Sequence, residues 1–283
     1  MAGDRNPMIR GETSLLIATD LDGSLLDAET YSFEKARPAL RLLAERGIPL
    51  VLASSKTAAE MVPLSDSLSL VTPLIVENGG ALLVPRGERE AGFSSLVLGA
   101  RREAIVHALA EIREESGADL RSFSSLDPAE VARLTGLSPS AAELALKREY
   151  DEPFLLEDEG KVAALELAAE RRGFKLTRGG RFWHLTGKTD KGQALRALLR
   201  HYAAEGRRFR TVGLGDAAND LSLLRAVDRP VVIPREPGRL DAALRAALPD
   251  AEQAPSPGPV GWNAAILAIL RGETLPKVGS GGS

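Results

Sequence analysis

Leu15-Leu16-Ile17-Ala18-Thr19-Asp20-Leu21-Asp22-Gly23-Ser24 is the stretch on which the fold turns. Its apolar first half reads as a short buried strand, and the glycine that follows marks a turn. Two aspartates spaced i, i+2 on extended backbone point to the same side. Like charges so close need a cation or a shared proton between them. Carboxylates at the carboxyl end of a buried strand suggest a magnesium-dependent site on an open α/β sheet. A plain strand ending in a polar turn is the structural alternative. A calcium loop of the EF-hand type is excluded, because its obligatory sixth-position Gly and twelfth-position Glu fall on Leu25 and Tyr31.

The rest of the 283-residue chain fits a soluble globular protein with one large or two modest cores. A net charge of −3 and a pI near 5.8 argue against generic nucleic-acid binding. No apolar run approaches a membrane helix, and the polar amino terminus lacks a signal-peptide core, so a cytoplasmic location is expected. The absence of cysteine excludes disulfides, zinc–thiolate sites and thiol nucleophiles.

Strand and helix signals alternate in the first and last thirds. Leu15–Thr19, Ile48–Ala53, Arg210–Leu214 and Pro230–Ile233 read as strands; Glu34–Glu45, Ala58–Pro63, Lys191–Glu205, Leu221–Ala226 and Trp262–Leu270 read as helices. Asn78-Gly79-Gly80 reads as a tight turn between strands Leu74–Glu77 and Ala81–Val84. This alternation predicts an α/β fold, a doubly wound and mostly parallel sheet. Between Arg86 and Thr186 the rhythm changes. Phe93–Leu98 is strand-like, helices are expected at Arg101–Ser116, Pro128–Thr135, from Ser138-Pro139 to about Arg148, and around Lys161–Arg171. Phe174–Thr177 and Phe182–Leu185 form a hairpin pattern. The expected organisation is therefore a core of residues 1–85 and 187–275, an inserted α+β cap of residues 86–186, and a flexible tail at 276–283.

Four segments would end core strands or open a helix at one edge of this sheet. They are Asp20-Leu21-Asp22, Ser54-Ser55-Lys56 after an apolar strand, Thr189-Asp190-Lys191-Gly192, and Gly213-Leu214-Gly215-Asp216-Ala217-Ala218-Asn219-Asp220. Hydroxyl and ammonium donors combined with several carboxylates are what phosphoryl transfer to a carboxylate requires. The patterns D-x-D-G-S, strand–Ser, Lys-Gly and G-D-x-x-N-D, in this order, resemble the four signatures of the haloacid dehalogenase phosphatase superfamily, with a large cap between the second and third. Further stretches narrow the likeness: Asp27–Ser32, Leu52–Glu60, Glu77–Gly80, Arg148–Phe154 and Gly179–His184 are similar to mannosyl-3-phosphoglycerate phosphatases. Ser54-Ser55-Lys56 stands where general sugar-phosphate members of the subgroup have Thr-Gly-Arg, which favours the narrower family.

The resemblance implies an aspartyl-phosphate mechanism that hydrolyses mannosyl-3-phosphoglycerate to mannosylglycerate, a compatible solute. Glucosyl-3-phosphoglycerate or another sugar phosphate is the alternative. Asp20 would be the nucleophile and Asp22 the acid and base, with Ser54 and Lys191 holding phosphoryl oxygens. Mg²⁺ would be held by Asp20, the carbonyl of Asp22 and Asp216, with Asn219 and Asp220 supporting that set. Lys56, Lys188 and Arg181 would supply cations for the substrate's acid, and Glu149 and Asp151 would accept sugar hydroxyls; Arg148, Ser55 and Asn78 complete the substrate-binding set. The expected partner is this small phosphorylated substrate, with no nucleic acid or membrane; monomer and homodimer stay open.

Two other motifs fail on inspection. Gly187-Lys188-Thr189 ends like a P-loop, but the first glycine of that motif falls on Phe182. Gly213-x-Gly215-x-x-Ala218 matches a relaxed dinucleotide fingerprint, yet Asp216 would set negative charge against a pyrophosphate. His107 and His201 have no partner at metal-ligand spacing; for His184 a packed and a substrate-facing role are both open.

Overall fold

The computed structural model describes residues 14–87, 91–179 and 181–279. Its strands are β1 (Ser14–Thr19), β2 (Leu50–Ala53), β3 (Leu74–Val76), β4 (Ala81–Pro85), β5 (Phe93–Val97), β6 (Leu120–Ser122), β7 (Asp151–Leu156), β8 (Phe174–Arg178), β9 (Trp183–Gly187), β10 (Phe209–Gly215), β11 (Arg229–Val232) and β12 (Glu252–Gln253). The helices are α1 (Arg37–Glu45), α2 (Ala58–Ser67), α3 (Arg102–Ser116), α4 (Pro128–Thr135), α5 (Pro139–Ala145), α6 (Val162–Arg171), α7 (Lys191–Ala204), α8 (Leu221–Leu224), α9 (Ala242–Ala247) and α10 (Gly258–Leu270).

An eight-stranded sheet has the order β12-β11-β10-β1-β2-β3-β4-β5, parallel from β12 to β3 and antiparallel at its last two strands. Alternation along β1 sends Leu16 and Ala18 into one core layer with Leu195 and Leu198 of α7. Ile17 points the other way, into a layer with Leu43 of α1 and Trp262 and Ile266 of α10. Both faces are therefore covered, as a parallel sheet requires. Because β1 sits between β10 and β2, the carboxyl ends of these three strands open at one edge.

A second, four-stranded sheet, β6-β7-β9-β8, packs Phe154, Trp183 and Leu185 against Ile105 and Ile112 of α3 and Leu165 of α6. Helices α4 and α5 form a smaller cluster around Phe123 and Val131. Asp127 caps α4 through a reciprocal box with Glu130, and Thr57 caps α2 the same way with Glu60. Thr57 Oγ1 also donates to the Leu144 carbonyl at 3.0 Å, tying the start of α2 to α5.

Three expectations need correction. Phe93–Val97, expected in the inserted segment, pairs antiparallel with β4 and forms the edge of the large sheet. Its mostly exposed side chains suit a sheet edge rather than a cap core. Residues 276–279, expected in a flexible tail, are held instead: Lys277 bridges Glu252, the Val278 amide donates to the Ala251 carbonyl, and its side chain is buried. The remainder of that tail, 280–283, lies outside the described residues. Finally, α2 runs past Pro63 to Ser67, where Met61 is buried and the buried Ser65 hydroxyl donates to the Leu70 carbonyl.

Candidate active site

Strand β1 ends by delivering Asp20 and Asp22 into the turn at Gly23. The Asp20 amide donates to the Leu214 carbonyl of β10. Thr19 Oγ1 donates to the Asp20 carbonyl and accepts from Trp262 Nε1, so the turn is anchored to the core on both flanks. Gly23 has φ +81°, and a Cβ there would lie 2.9 Å from Asp216 Oδ2; only glycine lets the two loops meet.

Lys191 opens α7 behind its N-cap Asp190 and is buried. Its Nζ lies 2.6 Å from Asp20 Oδ1 and 2.6 Å from Asp220 Oδ1. The carboxylates of Asp20, Asp216 and Asp220 offer oxygens within 4.8 Å of one another. Asp220 is already committed: its Oδ2 accepts the amides of Asp216 and Ala217 at 3.1 Å, and its Oδ1 takes the lysine. Asp20 and Asp216 remain as the carboxylates that can turn toward a cation, Asp216 while also accepting from Ser24 and Arg235, and Asp220 holds their loop in shape. Asn219 lines the cavity beside them.

With protein groups alone, negative charge is in excess here. Burial pushes the Asp20 carboxyl well above its ordinary range, and the charge of Asp220 adds to this against the pull of Lys191. Burial and Asp220 likewise raise Asp216 to about 7, opposed by Arg235 and Lys191. Burial works against charge on Lys191, but Asp20 and Asp220 outweigh it and raise its pKa. Lys191 stays charged among the three carboxylates, and even with Arg235 beside Asp216 the acids outnumber the cations that touch them. Asp22 Oδ1 is a further oxygen here, buried without a hydrogen-bond partner. The donor set, all hard oxygens, fits a divalent cation such as Mg²⁺.

Strand β2 ends in Ser54-Ser55-Lys56. Ser54 is buried, with its Oγ accepting the Lys56 amide, while Ser55 and Lys56 line the cavity. Lys56 Nζ lies 3.0 Å from Asp22 Oδ2 and over the Tyr31 ring. Burial disfavours its charge, but Asp22 and Glu60 outweigh that and raise its pKa.

These groups open into a cavity of about 730 Å³, whose walls include Arg148, Arg181 and His184 from the second sheet and the segments around it. That volume lies in the range of small-molecule sites. Other members of the expected substrate set do not line it. Asp151 is fully buried behind the wall, where it accepts from Arg148 Nη1, His184 Nδ1 and Asn78 Nδ2. Fully buried and engaged by three donors, this carboxylate offers no surface to a sugar in the cavity. Glu149 turns its exposed side chain to Arg101 and Tyr150. Lys188 is exposed outside the cavity.

Sequence reasoning passed over Arg235, whose Nε lies 3.1 Å from Asp216 Oδ2. The signal was present: Pro234-Arg235 follows β11, which the parallel pattern brings to the same sheet edge. Glu77 was also missed as a joint. Its carboxylate accepts the amides of Glu149 and Tyr150, and burial, against the pull of Arg148, raises it to about 7.

A doubly wound sheet whose carboxyl edge gathers aspartates around a buried lysine is an α/β fold with a carboxylate centre suited to taking up a phosphoryl group. The family model for haloacid dehalogenase-like hydrolases matches residues 17–111. The chain is 40% identical over 265 residues to the glucosyl-3-phosphoglycerate/mannosyl-3-phosphoglycerate phosphatase of Methanococcoides burtonii, covering 90% of this chain and 97% of that one. It is 39% identical over 266 residues to the protein of the same name from Persephonella marina, with 90% and 97% covered. The crystal structure of a haloacid dehalogenase-like hydrolase from Bacteroides thetaiotaomicron superposes with a TM-score of 0.64 at 22% identity, covering 92% of this chain and 99% of that one. The chain belongs to the haloacid dehalogenase-like hydrolases and, within them, to the family of these two phosphatases.

Proposed function

We propose that the protein is a Mg²⁺-dependent phosphomonoesterase that hydrolyses mannosyl-3-phosphoglycerate and glucosyl-3-phosphoglycerate to the glycosylglycerate and phosphate. The observation that carries this reading is the shared grip of Lys191 on Asp20 and Asp220, 2.6 Å from each. It keeps one oxygen of Asp20 oriented and electrostatically compensated while the other faces the cavity. Both relatives, alike to this chain over nine-tenths of its length, carry the two glycosyl esters in their names.

In this account Asp20 attacks phosphorus and becomes an aspartyl-phosphate, while Asp22 gives a proton to the departing alkoxide oxygen. Asp22 then takes a proton from the water that attacks the acyl phosphate, which returns Asp20 as a carboxylate and releases phosphate. Ser54 and Lys191 hold phosphoryl oxygens, and Lys56 keeps Asp22 oriented. Asp20, Asp216 and the Asp22 carbonyl would hold Mg²⁺, which supplies charge neutralisation at the transferring phosphoryl group. The segments that carry Arg148, Arg181 and His184 act as a cap that shields this chemistry from bulk water. The domain limits we propose are a core of residues up to about 97 and from about 188, with the cap between them.

Phosphate release from both glycosyl esters and from free hexose phosphates, with and without Mg²⁺, tests the reading. We expect Mg²⁺-dependent turnover of the glycosyl esters; a strong preference for free hexose phosphates overturns it.

A further inference from the structure

Part of the cavity wall comes from the second sheet and the segments around it. It includes Phe123, Phe182, Gly179, Arg148, Arg181 and His184. The two phenylalanine rings meet edge to face at 5.1 Å. His184 is buried, and its Nδ1 lies 2.8 Å from Asp151 Oδ2. An ionised carboxylate only accepts, and burial's upward push on Asp151 is outweighed by His184 and Arg148, which hold it in the charged form. Nδ1 therefore carries a proton, and the ring cannot turn over without losing that bond. The opposite ring edge, Nε2, is left beside Gly179 on the cavity wall. A Cβ at Gly179 would stand 2.9 Å from Nε2, so glycine keeps this edge clear.

The other polar groups of this wall are differently placed. Arg148 Nη1 is taken by the Ser55 carbonyl and Asp151 while its Nε is buried without a hydrogen-bond partner, and Arg181 is exposed. Among the described residues, Nε2 of His184 has no protein hydrogen-bond partner. The wall thus combines aromatic surface with an imidazole and a guanidinium that the buried Asp151 carboxylate fixes from behind. A pyranose presents the complement, an apolar C–H face with a rim of hydroxyls.

We propose that this part of the cavity is a glycosyl subsite, in which Nε2 of His184 hydrogen-bonds a sugar hydroxyl and Phe182 packs against the ring. The inference rests on the phosphatase reading above and adds the residue that reads the sugar. Because Asp151 sets the ring in advance, binding does not have to order it, and a substrate lacking the sugar leaves the contact unmade.

The test is the ratio of kcat/KM for each glycosyl-3-phosphoglycerate to that for 3-phosphoglycerate, which keeps the phosphate and carboxylate but has no sugar. In His184→Asn the amide stands where Nδ1 stood and still donates to Asp151, with nothing at the position of Nε2. The ratio is expected to fall at least about ten-fold, mainly through KM of the glycosyl esters. Gly179→Ala, which crowds Nε2 without touching Asp151, lowers the ratio in the same direction and carries the test if His184→Asn does not fold. A ratio within about two-fold of wild type in both variants, or an equal loss on all three substrates, overturns the subsite alone. Failure of the wild type to turn over either glycosyl ester overturns the phosphatase reading, and the subsite with it.

Discussion

Lys191 Nζ lies 2.6 Å from Asp20 Oδ1, across 171 residues of sequence, and both side chains are buried. The contact joins the end of β1 to the start of α7, and Asp220 closes it from β10's side. It turns three short sequence patterns into one electrostatic unit, in which removing any member leaves the others exposed to the full cost of buried charge.

Lys191→Met leaves Asp20 and Asp220 without their shared cation. The expected loss of stability in Mg²⁺-free buffer is about 3–5 kcal/mol, partly recovered by millimolar Mg²⁺. Urea unfolding with and without the metal reads both numbers. Equal stability of variant and wild type in Mg²⁺-free buffer contradicts the shared grip.

Arg235 places a second positive charge on Asp216, with a side chain 44% exposed. Removing a nearby cation strengthens binding of another at the same carboxylate, and solvent screening keeps the effect modest. Arg235→Ala should tighten Mg²⁺ binding about two- to ten-fold in a calorimetric titration. Weaker binding would mean that Arg235 organises the Asp216 loop instead of competing for it.

Glu77 gives a pH signature. Its ordinary pKa of 4.5 is raised to about 7 in the folded protein, chiefly by burial. Between these values the folded state binds the proton that the unfolded chain has released, so stability falls as pH rises through this window. The penalty is absent below 4.5 and complete above 7, where it amounts to about 3 kcal/mol. Glu77→Gln cannot titrate. The stability of wild type relative to the variant should therefore decline from pH 4.5 to 7.5, as followed by chemical unfolding; parallel profiles rule this out.

The sheet edge that gathers the aspartates and Lys191 was legible in the sequence because each of its parts sits at a strand end or helix start that short apolar runs announce. Asp20, Ser54, Lys191 and Asp216 needed only the parallel-sheet rule to be brought together. The cap side was not legible, for a physical reason. Arg148–Phe154 reads only as the end of the helix that opens at Ser138-Pro139, with no strand expected there. In the fold it opens β7, between β6 and β9, and Pro153 is accommodated because the β6 pairing stops at Phe154. Missing that strand hid its consequence: Asp151 faces inward to His184 and Arg148, while the side chain of Glu149 reaches out to Arg101. Two acids two positions apart thus received the same expected role and have different ones. Phe93–Val97 was legible as a strand, but nothing local says which sheet an edge strand joins.

The central claim is that Asp20 is the attacking group, and Asp20→Asn tests it most directly. Mg²⁺-dependent phosphate release from mannosyl-3-phosphoglycerate should fall by more than about a thousand-fold in a variant that stays folded, since the amide cannot form the acyl phosphate. Turnover close to that of the wild type would contradict the account.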